Sequence, residues 1–135
     1  MSQPVCAIIG AGEGLGRALA AKFASQEFDI ALISRSEAGS AAAIEAATGI
    51  TANVRFFSAD ATQPDTIETA LAKVADEMDE IDVLIYNARG EFTACEPLDM
   101  TYAALEDTYR VEVVGAFAAA KTVLPAMIKR SRGSI

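Results

Sequence analysis

Four glycines stand at positions 10, 12, 14 and 16, within the run Ile8-Ile9-Gly10-Ala11-Gly12-Glu13-Gly14-Leu15-Gly16-Arg17. An apolar stretch precedes them and a helical pattern follows. A tight turn between a strand and a helix exposes main-chain N–H groups, and the helix N-terminus adds partial positive charge. Glycine admits positive φ and puts no Cβ between those amides and an anion. The chemistry implied is capture of a dinucleotide pyrophosphate. A tight structural turn is the plain alternative, and placement after a first buried strand and before an amphipathic helix favours the anion site. A second reactive pair, Ser34-Arg35, closes the next apolar run. A hydroxyl beside a guanidinium suits phosphate oxygens. The chain has no histidine, which removes the usual neutral-pH acid–base group and any His-based metal site. Cys6 and Cys95 lack metal-like spacing, so no metal is expected.

Short aliphatic runs alternate with longer helical patterns, the signature of βαβ units on a parallel sheet. Val5 to Ile9 reads as a first strand, continuously apolar because both faces are covered. A helix is predicted from Gly14 to about Gln26, with Leu15, Leu19 and Phe23 facing the sheet at i, i+4, i+8. Asp29 to Ser34 is the second strand, followed by an alanine-rich helix from about Glu37 to Thr48 that Gly49 stops. Val54 to Ala59 is the third strand. Pro64 to Met78 is a helix with Ile67, Leu71, Val74 and Met78 on one face, and Asp82 to Tyr86 is the fourth strand. Beyond Gly90 a short helix is predicted over Thr101 to Glu106, then a long one to about Lys129, with Pro125 bending its last turns. The middle of the long helix, Val113 to Ala120, is apolar nearly all round and predicts burial on more than one side. Gly133-Ser134-Ile135 reads as the opening of a fifth strand.

At 135 residues the chain suits one domain with a real core. The net charge of −8 argues against nucleic acid or an anionic membrane as the main partner, since both favour basic surfaces. Met1-Ser2-Gln3-Pro4 carries no basic region, and the apolar run behind it is too short for a leader or a membrane span. Both cysteines read as reduced and the protein as cytoplasmic.

The glycine spacing departs from the common dinucleotide fingerprint, because Leu15 holds the place of its third glycine or alanine. The pattern Gly-x-x-x-Gly-x-Gly fits instead, at Gly10, Gly14 and Gly16. In this the chain resembles the short-chain dehydrogenase/reductase family. Three further motifs extend the resemblance in the right order. Asp60, in Ser58-Ala59-Asp60-Ala61-Thr62, looks like the family's aspartate that contacts the adenine ring. Asn87-Ala88 looks like its Asn-Asn-Ala-Gly motif. Val111-Glu112-Val113-Val114-Gly115 looks like its Val-Asn-x-x-Gly segment. The resemblance implies an α/β fold of the Rossmann type, a doubly wound parallel sheet in three layers, cut off before its fifth strand. It implies one incomplete nucleotide-binding domain over residues 1–135. It also implies an oxidoreductase acting on a carbonyl or alcohol. Cofactor contacts are expected from Gly10, Gly12, Glu13, Gly14, Leu15 and Gly16, from Ser34 and Arg35, and from Asp60, Ala61, Asn87 and Ala88.

An acidic residue at the end of the second strand takes the ribose hydroxyls of NAD. Ser34-Arg35 stands there, so NADP(H) is favoured over NAD(H), although Glu13 puts an anion beside the anion site. The resemblance also implies a Tyr-x-x-x-Lys pair and a serine, and neither is found. Four residues after Tyr86, Tyr102 and Tyr109 stand Gly90, Glu106 and Val113, and Ser134 comes too early. No catalytic residue is therefore expected in this chain, and the chain alone is expected to be inactive. Glu112 replaces the family's asparagine and, if buried, needs a cation such as Arg110 or Lys121, or a raised pKa. Arg89 replaces the family's glycine and either obstructs the site or swings out as a surface charge. Two other readings remain open: a non-catalytic nucleotide-binding or interaction module, and a methyltransferase-like domain whose Gly10-Ala11-Gly12-Glu13-Gly14 holds S-adenosylmethionine. In the family's strand order, 3-2-1-4-5-6-7, the fourth strand is interior. A homo-oligomer through the long apolar helix is expected.

Overall fold

The computed structural model describes residues 2–50 and 53–135, so the amino-terminal segment is seen only from Ser2. The chain runs β1 (Val5–Ile9), α1 (Leu15–Ala24), β2 (Asp29–Ser34), a 3₁₀ turn Ala38–Ser40 leading into α2 (Ala41–Thr48), then β3 (Val54–Ser58), α3 (Pro64–Glu77) and β4 (Ile81–Tyr86). After a long exposed loop come α4 (Tyr102–Tyr109), a π-helical stretch Arg110–Gly115 and α5 (Ala116–Arg130). The four strands form one parallel sheet in the order β3-β2-β1-β4. Strand order reverses between β1 and β4, so a crevice opens there at the carboxyl ends of the strands.

Strand side chains alternate between two cores, as the pleat requires. Val5, Ala7, Ile9, Ala31 and Ile33 pack with Ile67, Leu71 and Val74 of α3 and Ala119, Val123 and Met127 of α5. Cys6, Ile8, Ile30 and Leu32 pack with Ala20 and Ala24 of α1 and Ala43 and Ala47 of α2. Each fully buried Ile or Leu, such as Ile8 or Leu32, contributes about 1.5–3 kcal/mol. The α/β doubly wound architecture that the resemblance implies is the one observed, and a residue pairs beside β4 where a fifth strand is expected. Ser134 N donates to Asp82 O at 2.9 Å and Leu84 N donates to Ser134 O at 2.9 Å, in parallel register beside β4.

Three expectations need correction. The sheet-facing stripe of α1 is Gly16, Ala20 and Ala24, while Leu15 is 62% exposed and Leu19 and Phe23 flank the contact. The start of the helix presses on the turn that follows β1, leaving no room for a side chain there: a Cβ on Gly16 would sit 2.8 Å from Ala11 Cα. The two predicted carboxyl-proximal helices are a single continuous 29-residue helix, Tyr102–Arg130, interrupted only in its hydrogen-bond register by the π stretch. That helix is also not buried all round. Val111, Ala118, Ala119, Val123 and Met127 turn inward, whereas Tyr109, Val113, Phe117, Leu124 and Ile128 form an outward stripe with Phe117 68% exposed. By length and composition the helix could span a membrane, but here its inner face covers the sheet.

At the opposite end of the sheet Asp82 ties three segments together. Its Oδ1 accepts from Arg130 at 3.1 Å and from Arg132 at 2.7 Å, and its Oδ2 accepts from Val5 N at 3.1 Å. Arg130 also donates to Ile81 O at 2.8 Å. The Asp82 side chain is 12% exposed and that of Arg132 is 69% exposed, so the partners are unequal. Asp82→Ala strips a largely buried guanidinium of its carboxylate and leaves the Val5 amide unpaired, and is expected to cost about 2–3 kcal/mol. Arg132→Ala removes only a solvated partner and is expected to cost less than about 1 kcal/mol. Urea midpoints at constant m-value measure both, and equal losses would contradict this division.

Candidate functional site

The glycine loop is built by the contact between the ends of β1 and β4. Asn87 N donates to Ile9 O at 2.7 Å and Asn87 Nδ2 donates to Gly10 O at 3.1 Å. Gly10 adopts φ +88°, and a Cβ there would collide with Ala88 N and lie 2.5 Å from Asn87 C. Only glycine lets the two strand ends meet this way. Gly12 and Gly14 have a different reason: a Cβ on either would meet nothing within 4 Å. The space they leave open borders the start of α1, whose N-cap is Gly14 and whose first turn has no side-chain cap. First-turn amides with no capping side chain, beside backbone that no Cβ covers, suit an anion. Glu13 is exposed at the rim of this loop, and Leu15 is exposed on the first turn of α1.

The loop after β2 is held by hydroxyls. Ser34 Oγ donates to Ser36 O at 2.9 Å and shares a 2.7 Å bond with the fully buried Ser40 Oγ. Gly39 N donates to Ser36 Oγ at 3.2 Å, and Ser58 Oγ donates to Arg35 O at 3.4 Å. The Ser34 hydroxyl therefore shapes the loop instead of pointing free. Arg35 is exposed, and among the described residues no ion pair engages its guanidinium.

Beyond β3, Asp60 Oδ1 accepts from Thr62 N at 2.9 Å and from Thr62 Oγ1 at 2.8 Å. These bonds, with a smaller contribution from the Arg35 charge, hold the Asp60 carboxyl below its usual range. Thr66 Oγ1 accepts from Asp60 N at 2.9 Å, which fixes the backbone of the same turn. Gly10, Ser34, Asp60 and Asn87 thus lie along one edge of the sheet, each just past or at the end of its strand.

The residues expected near the chemistry sit otherwise than the sequence suggests. Glu112 is exposed, so it is not the buried glutamate that would demand a cation. Arg110, its candidate partner, donates from Nε to Thr62 O at 2.6 Å. Arg89 is exposed and lies over the Phe92 ring at 5.8 Å, so it has swung out from the crevice. Tyr86 fills the place of the family's first asparagine, and its hydroxyl donates to the Val111 carbonyl in the π stretch. Burial, with the Glu112 charge adding to it, pushes the Tyr86 phenol up to about 12. Sequence reasoning misses Ser36 and Thr66, and it misses the bonds that Thr62 and Arg110 make. Only the Asp-x-Thr spacing at Asp60 carries a local signal, that of a side chain bonding the backbone two residues on.

A model of the short chain dehydrogenase family matches residues 4–135. The chain belongs to that family. It is 38% identical over 130 residues to the 3-dehydrosphinganine reductase TSC10A of Arabidopsis thaliana, covering 93% of this chain and 38% of that protein. It is 30% identical over 128 residues to estradiol 17-beta-dehydrogenase 11 of Rattus norvegicus, covering 95% of this chain and 43% of the relative. A metagenomic short-chain oxidoreductase solved in complex with NADP superposes with a TM-score of 0.90 at 23% identity, over 98% of this chain and 59% of that one. The chain therefore spans about half the length, or less, of the curated relatives it matches.

The two kinds of glycine separate by experiment. Gly10→Ala forces a side chain into the β1–β4 contact at positive φ and is expected to destabilise by more than about 3 kcal/mol. Gly12→Ala meets no atom and is expected to change the urea-unfolding free energy by less than about 0.5 kcal/mol while abolishing dinucleotide binding by calorimetry. A Gly12→Ala protein that binds normally would refute the anion site.

The Tyr86 phenol has a raised folded-state pKa, so its contribution to stability is complete below pH 10 and is lost as pH rises toward about 12. Ultraviolet titration is expected to show one tyrosine ionising near that upper value, and Tyr86→Phe is expected to delete that step.

Proposed function

We propose that these 135 residues form the nucleotide-binding part of an NADP(H)-dependent oxidoreductase acting on a carbonyl or alcohol. The observation that carries the reading is the open space at Gly12 and Gly14, set against the uncapped first turn of α1. The metagenomic neighbour crystallised with NADP supports it, as does family membership, which also disfavours the methyltransferase alternative. The cofactor-binding set proposed is Gly10, Gly12, Glu13, Gly14, Leu15 and Gly16, with Ser34, Arg35, Asp60, Ala61, Asn87 and Ala88. Main-chain amides of the glycine loop hold the pyrophosphate. The Arg35 guanidinium takes the 2′-phosphate, on a loop that Ser34, Ser36 and Ser40 keep in shape. Asp60, kept ionised by Thr62, and Ala61 flank the adenosine. When bound, the cofactor supplies or accepts the hydride. The Tyr-x-x-x-Lys pair and serine that would move the proton are proposed to lie outside these residues, so the chain by itself is proposed to be inactive.

The outward stripe Tyr109, Val113, Phe117, Leu124 and Ile128 is proposed as a homo-oligomer surface. Two unpaired cysteines, Cys6 and Cys95, fit a reducing compartment such as the cytoplasm.

Calorimetric titration of the chain with NADPH, NADH and S-adenosylmethionine tests the assignment. NADPH is expected to bind and S-adenosylmethionine not to. Arg35→Ala is expected to weaken NADPH by about tenfold or more, since one charge-assisted phosphate contact is lost. NADH should change by less than about twofold, because it lacks the phosphate that Arg35 contacts. Equal losses for both nucleotides would overturn the NADP preference.

A further inference from the structure

The π stretch Arg110–Gly115 is anchored from two directions. The Tyr86 ring crosses from the end of β4 and donates its hydroxyl to the Val111 carbonyl, one of the groups whose helical register is disturbed. Gly115 makes room for it: a Cβ there would collide with the Tyr86 hydroxyl and lie 2.9 Å from Ala61 O. From the other side Arg110 Nε donates to Thr62 O at 2.6 Å. Thr62 is the residue whose amide and hydroxyl bind the Asp60 carboxylate. The loop after β3, the π stretch and the end of β4 are thereby linked by hydrogen bonds and a close backbone approach. Asn87, next to Tyr86, continues the link to Gly10 O.

π-helical turns sit higher in energy than α-helical ones and need such support to persist. A turn held by two side-chain bonds also has a soft alternative, local reversion or fraying, that those bonds suppress. We infer, on the dinucleotide reading above, that Tyr86 and Arg110 are positioning residues, which order the π stretch and Glu112 in response to occupancy of the adenine end of the site. The route is physical and short. A nucleotide that orders Asp60-Ala61-Thr62 also orders the carbonyl to which Arg110 is bound, so the π stretch loses freedom with no contact to the ligand. Tyr86 sets the stretch against the sheet, and Arg110 connects it to the loop.

Hydrogen exchange on the full chain with adenosine 2′,5′-bisphosphate tests this, because that probe has an adenine end and no nicotinamide. Saturating probe is expected to slow exchange of the amides of residues 111–116 by about tenfold in the wild type, the usual size of a coupling between neighbouring sites. In Arg110→Ala the protection should vanish while the probe's Kd stays within about threefold. Arg110→Lys, which keeps a donor for Thr62 O, should restore part of it. Tyr86→Phe should raise exchange of the stretch even without the probe. Arg110 is exposed, so its variants fold whether or not Tyr86→Phe does. Probe binding with unchanged exchange at 111–116, or protection that survives Arg110→Ala, would overturn the positioning role and leave the dinucleotide reading standing. Failure of the probe to bind would overturn both.

Discussion

The end of β1 has to touch the end of β4, and that contact governs everything else at the site. Two hydrogen bonds from Asn87, to Ile9 O and Gly10 O, draw the strands together where the chain turns away. No side chain fits at residue 10 in that geometry, so the turn is glycine at positive φ. Once the turn is made there, the start of α1 presses on it, and Gly16 is needed at that contact. Gly12 and Gly14 answer no such packing demand. Glycine costs conformational entropy, so packing alone gives no reason for a bare Gly12. Their emptiness is the part of the loop that side-chain packing does not explain, and it is where the proposed anion site lies.

The remaining loops solve one problem, which is how to hold a short connection rigid at a sheet edge with few apolar contacts. They do so with hydroxyls. Ser34 and Ser40 share a bond under the β2 loop, and Thr62 and Thr66 grip the two ends of Asp60. Each bond contributes only about 1 kcal/mol net. Their value lies in direction: the backbone that each hydroxyl pins sets where Arg35 and Asp60 stand along the edge. Preorganised loops spend less binding energy on ordering when a ligand arrives.

Much of this is legible in the amino-acid sequence. Five-residue aliphatic runs such as Val5–Ile9 carry their own burial, and a parallel sheet follows from their alternation with helices. What is not legible has a common cause: distances between elements. Leu15, Leu19 and Phe23 have the better hydrophobic period, yet Gly16, Ala20 and Ala24 face the sheet, and at Gly16 the helix start presses too closely on the turn for a side chain. The long helix reads as two pieces because polar residues interrupt its apolar pattern between Glu106 and Glu112. A π register absorbs the change of face there without breaking the rod. Glu112 reads as a burial problem because it stands at the asparagine position that the resemblance implies, and the structure leaves it exposed. Arg110 and Thr62 are 48 residues apart, and nothing local in either signals the other.

A chain of net charge −8 is at first sight a poor host for a polyanionic nucleotide, and the resolution is one of range. At physiological ionic strength charges are screened beyond about 8 Å, so the net charge alone does not set the potential at the glycine loop. The first turn of α1 adjoins the loop and carries about half a positive charge, and Arg35 follows β2 on the same edge of the sheet. Glu13 is the nearest objection, and its exposure lets water screen it. The net charge is then free to serve solubility. The anion site proposed above rests on a few oriented dipoles whose geometry follows from the β1–β4 contact, the same contact that demands a bare residue at position 10.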